Sequence, residues 1–298
     1  MRHHSTARRT TDWTLPIGRE HDLRIVDRPA HALDPDALGA LVDELRRVAD
    51  RCLPPGHLRY GILSGARERL EAAVVAVVYE RRTRRPVGFS AMSRLPVTLG
   101  ARRLEVLHAG LCMIAPEVRR GGLCWLLTTA PALVAFARKG FTTLWVTNVT
   151  QVPAVAGVFT GAAGAVHPAP GRDGPPSPTH RRIAEQLMEH HRAAFGVGDD
   201  AELDGERFVI RNAYTGGSDA LKKRFEDADE HRDPEINRLC RELLDYDRGD
   251  DLLQVGHLTV GVVCTLVLRF AARLVWRGMR RLRPAPAARA ADTAEVGA

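Results

Sequence analysis

The sequence predicts a mixed α/β fold, with a mostly antiparallel central sheet flanked by helices and a helical C-terminal extension. Three observations carry this. Two apolar, β-branched runs, Ala72 to Tyr79 and Pro86 to Met92, bracket "ERRTRRP" and read as an antiparallel hairpin with a charged tip. A third strand, Arg103 to Ile114, runs through two arginines and two glycines into an apolar helix, Cys124 to Lys139. Short strands and helices then alternate until the chain reaches a long apolar run, Leu252 to Leu268, followed by arginines at helical spacing.

In chain order, residues 1–20 are Arg- and Thr-rich at the start, contain no apolar stretch of signal-peptide type, and are expected to form a disordered arm. Leu23 to Val26 is a short strand. Asp34-Pro35 opens a helix to about Asp50, with the aspartate as cap and proline in the first turn. Cys52 to Gly65 is less regular, and the hairpin, third strand and apolar helix follow. Thr142 to Thr147 is the next strand, "QVPAVAGVF" a short helix and "AAGAV" a short strand. The texture then changes: His167 to Pro178 is a Pro/Gly loop, Thr179 to Phe195 a polar helix and Arg207 to Arg211 a strand, so that about 167–206 reads as an insert. Asp233-Pro234 caps a helix ending near Tyr246, within a helical segment 216–250. A final helix is expected over 251–283, and a disordered tail over 284–298.

The chain has 298 residues, 45% of them hydrophobic, enough for one sizeable domain with appendages. Its net charge of +7 comes almost wholly from arginine, Lys139, Lys222 and Lys223 being the only lysines. With abundant Ala and Gly, that bias reflects GC-rich coding more than a nucleic-acid surface, and argues against nucleic acid as partner. Five cysteines stand singly, without CxxC pairs or histidines at zinc spacing, so a reduced cytoplasmic protein without a metal is expected.

Arg119, Arg120, Gly121, Gly122, Leu123 and Cys124 put positive charge and open backbone at a helix mouth. First-turn N–H groups there have no intrahelical partner and the dipole is positive, which makes a phosphate cradle. Neither a P-loop nor a dinucleotide fingerprint fits, since Gly-Lys-Ser/Thr and GxGxxG are absent. The stretch resembles the signature of the GNAT superfamily of acyl-CoA-dependent acyltransferases: Gln or Arg, two residues, Gly, one residue, then Gly or Ala. Cys124 departs from it at the last position. Element order agrees with the family over roughly Leu23 to Arg211, and "IAPEVRR" and "ARKGFTTLWVTNVTQVPA" are similar to its approach and its splayed strand.

The resemblance implies a GNAT-like domain over 21–215, with a V-shaped splay in its sheet. Between the splayed strands would run the phosphopantetheine of acyl-CoA or of an acyl carrier protein, bonded to backbone around Cys112, Met113 and Ile114, its phosphates on residues 119–124. Asn148 and Gln151 lie near where a donor amide could be held. The acceptor would be an amine on a small molecule, peptide or lipid.

Amide formation needs a base to take the amine's proton. His108 stands eleven residues before Arg119, where histone-acetylating members carry a glutamate, and a histidine accepts a proton at neutral pH. Glu105 is the competitor, on the opposite face of a regular strand unless Gly110 hosts a bulge. The family's tyrosine acid is missing, as Val158 and Phe159 occupy the short helix; Tyr214 could substitute. Residues 252–283 suggest an arginine-faced helix peripheral to the inner face of a membrane. A non-catalytic thioester- or peptide-binding module and a membrane-surface scaffold are the alternatives.

Overall fold

The computed structural model describes residues 11–54, 58, 60–119, 122–171 and 174–269. The chain opens with β1 (Thr11–Ile17), β2 (His21–Asp27) and helices α1 (Pro29–Ala32), α2 (Pro35–Cys52) and α3 (Arg67–Glu71). Strands β3 (Ala73–Glu80), β4 (Pro86–Leu99) and β5 (Arg102–Ile114) follow, then α4 (Leu123–Arg138), β6 (Leu144–Thr150), α5 (Pro153–Ala162) and β7 (Gly164–His167). The remainder supplies α6 (Pro178–His190), β8 (Glu202–Asp204), β9 (Val209–Arg211), α7 (Pro234–Leu243) and β10 (Asp251–Leu258). One sheet joins the strands in the order β1-β2-β3-β4-β5-β6-β10-β9-β8, with β7 also on β10. Neighbours are antiparallel except β5 and β6, which run parallel.

The hairpin forms as its sequence dictates. Successive side chains of a strand point to opposite faces, and β3 sends Ala73, Val75 and Val77 into one core and Val74, Ala76 and Val78 into another. Both faces are covered, which is why the run is continuously apolar rather than alternating. α2 lies on the first face, started by Asp34, whose carboxylate accepts from the Ala37 N–H at 2.8 Å, and burying Leu38, Leu41, Leu45 and Val48. α6 extends the cover on that face through Ile183 and Leu187. α4 covers the opposite face with Leu127, Ala135 and Phe136, beside α5 and α7.

Three expectations are corrected. Thr11–Ile17 is a strand and not an arm, paired with β2 from Thr11↔Asp27 to Ile17↔His21 and clasped by an Arg24–Asp12 ion pair. Its Trp13 and Leu15 stay half-exposed on the sheet's edge, so it lacks the burial pattern that marks inner strands. Residues 1–10 and 270–298 lie outside the described residues.

The apolar run after Asp251 is not one helix. β10 inserts between β6 and β9, and residues 260–269 are helical. Leu253 and Val255 enter one core and Leu252 and Leu258 face the other side, so both faces are buried and the run mimics an apolar helix. The domain therefore does not close at 215, because β10 completes its sheet. Every residue of 252–258 but the partly exposed His257 is buried in the sheet, and among the described residues no helix is long and apolar enough to cross a membrane.

Candidate active site

The parallel pair sets the geometry. β5 and β6 are bonded from Val106↔Trp145 to Ala109↔Asn148, and there the ladder stops. The cause lies on the other edge of β5. Ser90 pairs with Cys112 but Met92 with Ala109, so Ala91 opposes both Gly110 and Leu111 in a bulge. A Cβ on Gly110 would sit 2.6 Å from the Ala91 carbonyl oxygen, so glycine is the residue that fits. A bulge bends its strand, and past it β5 and β6 diverge as a fork.

The bulge also resets which side chains share a face. Leu107 and Ala109 point toward α4, and so do Cys112 and Ile114, while His108 and Met113 point the other way. Beneath the fork, on the α4 face, lies a cavity with about 340 Å³ of empty space, partly open. Ala109, Gly110, Cys112, Asn148, Thr128 and Phe159 are among its walls. Asn148 is held by donating from Nδ2 to Gln254 Oε1 at 3.2 Å, and Gln254 donates in turn to Thr160 and the Pro168 carbonyl.

One wall residue of this slot, Cys112, lies against Cys124 in the first turn of α4. Gly122 is its N-cap at φ 81°, a left-handed conformation that glycine adopts without steric cost, and no side chain caps the first turn. Without a capping side chain among the described residues, the Leu123 and Cys124 N–H groups form the positive end of a helix of four turns. Arg119 folds back, its Nε donating to the Ile114 carbonyl at 3.1 Å. Arg120 and Gly121 lie outside the described residues. Cys124 turns toward β5: its thiol accepts from Cys112, which lowers its pKa and raises that of Cys112, and helix position acts in the same direction on Cys124.

The opposite face of the fork holds titratable groups. His108 is 1% exposed, 3.1 Å through Nδ1 from Thr147 Oγ1 and 5.0 Å from the Phe195 ring centroid. Burial, then the nearby His191, depress its pKa to about 4, so it is neutral at pH 7. Tyr214 lines neither cavity; its hydroxyl donates to Asp251 Oδ1 at 2.8 Å. Burial raises Tyr214, and burial followed by repulsion from Asp250 raises Asp251 to about 7, against the Tyr214 hydrogen bond that lowers it. The β6–β10 register, Thr150↔Leu252, sets Gln151 opposite Asp251 one step on. Gln151 Nε2 donates to the Leu221 carbonyl, while its buried Oε1 finds no donor among the described residues.

Glu105 is not brought to the fork. It sits four residues back along β5, its carboxylate 3.3 Å from Arg94 Nε and 3.7 Å from Arg28 Nη2. Asp251 is not among the residues the sequence points to, because the apolar run that follows it resembles a helix. No alternation marks that run as a strand, because both its faces are buried. No group of side chains suited to a metal ion occurs among the described residues.

No protein-family model matches the sequence, and no curated protein does. Among solved structures, the fold is similar to that of a GNAT family N-acetyltransferase from Escherichia coli in complex with CoA, at 16% identity over 49% of this chain and 70% of that one, TM-score 0.34. It is also similar to a putative GNAT family acetyltransferase from Desulfovibrio desulfuricans, at 16% identity over 49% and 87%, TM-score 0.33. A Trypanosoma brucei acetyltransferase matches at 19% identity over 40% and 77%, TM-score 0.28.

Proposed function

We propose that the protein transfers an acyl group from a pantetheine thioester, carried by CoA or by an acyl carrier protein, to an amine. The observation that carries this reading is the fork, where two parallel strands part over a slot whose wall residue Cys112 meets the first turn of a helix without a side-chain cap. The amides of pantetheine pair with the open edge of β5 around Cys112, Met113 and Ile114, as an added strand would. Phosphate rests on the Leu123 and Cys124 amides beside Gly122, with Arg119 released from Ile114 to meet it. The thioester carbonyl then lies near Ala109 and Gly110, where Asn148 walls the slot.

The amine approaches from the other face. Its nitrogen bonds to the thioester carbon, the carbon–sulfur bond breaks, and the departing thiolate takes a proton from water. The amine's own proton must be removed, and in this reading Asp251 removes it, positioned by Tyr214. A group titrating near 7 is matched to this work, whereas His108, titrating near 4, binds a proton too weakly to draw one from an ammonium. Gln151 Oε1 is an acceptor available to the incoming nitrogen.

Thermal stabilisation by CoA and its esters, with thiol release over a panel of amines, tests the reading. No stabilisation by any pantetheine thioester ends it. Stabilisation without thiol release for any amine leaves a binding module. An activity profile falling below pH 7 supports Asp251, and one falling only near pH 4 returns the role to His108.

A further inference from the structure

A second cavity adjoins the slot. It shares Met92, Ala109, Thr128 and Phe159 with the slot and continues past them, with about 420 Å³ of empty space, part of it open. Its direction follows from the strand. Ile114, Cys112, Ala109 and Leu107 succeed one another along one face of β5, the first two beside the open fork and the last under the paired region. Beyond Leu107 and Val146 the walls are Ala132 and Leu133 of α4, Ala162 of α5, and Leu258 of β10. Only two threonine hydroxyls interrupt this lining, and Thr129 spends its own on the Trp125 carbonyl at 2.8 Å.

Residues 260–269 close the far side. Leu266 lines the cavity, and Val262 and Val263 pack on the same core. Their seat is specific, since a Cβ on Gly164 would lie 2.6 Å from Val262 Cγ2. The apolar C-terminal segment thus supplies one wall by strand and another by helix.

We propose that this chamber holds the alkyl chain of the donor, so that the substrate is a medium-chain acyl thioester and not an acetyl one. The inference rests on the donor reading above and adds the chain. A thioester carbonyl at the fork directs its acyl carbons along β5 toward Leu107, into a space whose lining is apolar apart from the Thr128 and Thr129 hydroxyls. Trp145 pairs with Val106, so Leu144 and its partner Leu258 stand level with residue 105, four residues from Ala109. That is about 13 Å of strand, room for roughly eight to ten carbons. An acetyl group would leave the chamber empty, and a chain much longer would meet its end wall.

The test is calorimetric titration of the full chain with CoA, acetyl-CoA, octanoyl-CoA and palmitoyl-CoA below their micellar concentrations. A parallel arm uses acetyl- and octanoyl-phosphopantetheine, which separates CoA from a carrier-borne donor. Six added methylenes, each worth about fourfold when buried, raise affinity from acetyl to octanoyl by more than a hundredfold, with no further gain at palmitoyl. Ala132→Trp fills the chamber and abolishes that difference; Leu266→Ala enlarges it and moves the optimum to longer chains. Equal affinity for acetyl and octanoyl esters overturns the chamber and leaves the donor reading standing. A preference that survives Ala132→Trp and does not move in Leu266→Ala places the chain elsewhere and also overturns it. If no ester and no phosphopantetheine binds, the donor reading itself fails.

Discussion

The two faces of the fork are built on different principles. Toward α4 the walls are apolar, and the groups that the proposed reading assigns to the donor are backbone: the edge of β5 past Ala109 and the first turn of α4. Toward α6 and the end of β10 the polar groups are side chains: His108, Asp251 and Gln151, all buried, and the partly buried Tyr214. A backbone-read ligand needs small residues and a bend, which leave a linear trace. A side-chain site is assembled from segments more than a hundred residues apart and leaves none.

The largest effect should follow from closing the fork. Gly110→Val drives a branched side chain against the Ala91 carbonyl, so either the bulge is lost or the strands shift. Donor affinity should fall beyond detection, with about 1 to 3 kcal/mol of stability lost to the misfit. Chemical denaturation and the ester titration check the two separately. A valine variant that binds octanoyl-CoA normally would show that the bulge does not shape the slot.

Asp251→Asn probes the other face. Tyr214 can still donate to the amide oxygen, so geometry is retained while the proton acceptor is removed. The reading expects a fall of about a hundredfold or more in kcat with donor affinity intact. Stability should move the opposite way. A carboxyl raised from 3.8 to about 7 keeps its proton in the folded chain where the unfolded chain has released it, so native Asp251 destabilises progressively as pH rises from 4 to 7. The asparagine variant loses that slope and should be the more stable protein at pH 7.5 by thermal melts. An active variant, or one without this change in slope, would remove Asp251 from the role.

How much of this was legible follows the same division. The hairpin, the strand-to-helix junction at residues 119–124 and the Gly110 bulge are local, set by β-branched runs, glycines and a cap. The hairpin, the bulge, the end of β5 at Ile114 and the start of α4 at Leu123 stand where expected, with Arg120 and Gly121 outside the described residues. β10 was not legible, because a strand buried on both faces has no alternation to show and Leu252–Leu258 reads like a helix. With it went Asp251, and so the polar face of the fork. β1 was missed for the converse reason, being held by its ladder rather than by burial of Trp13 and Leu15. His108 was expected as the preferred base; it does lie on β5, but its depressed pKa depends on its burial beside Phe195 and on His191, far away in sequence.

His108→Gln separates the two buried groups thermodynamically. A histidine lowered from 6.5 to about 4 stays neutral in the folded chain while the unfolded chain protonates below 6.5. Its contribution is therefore lost as pH falls from 6.5 toward 4, the reverse of Asp251 in the same window. The wild type should show a shallow profile there, in which the two slopes offset each other. His108→Gln should become steadily more stable as pH falls through that range, and Asp251→Asn steadily less. Melting temperatures at half-unit pH steps read both, and parallel profiles for the two variants would contradict the assignment.

The smallest effect belongs to Glu105, and it bears on the division itself. Although Glu105 lies on the same strand as His108, its carboxylate is spent on Arg94 and Arg28, and its side chain is 44% exposed. Arg94 is the buried member of that group, and it keeps its 2.6 Å contact with Asp27 whatever occupies position 105. Glu105→Gln therefore removes a half-solvated partner and no buried charge is orphaned. A pair of that exposure contributes up to about 1 kcal/mol, screened by salt. Turnover should stay within about twofold of wild type across pH, because four strand residues, about 13 Å, separate Glu105 from the fork. A hundredfold loss of kcat in Glu105→Gln, with the fold intact by circular dichroism, would mean that the proton leaves from the α4 side. Both halves of the reaction would then share one face.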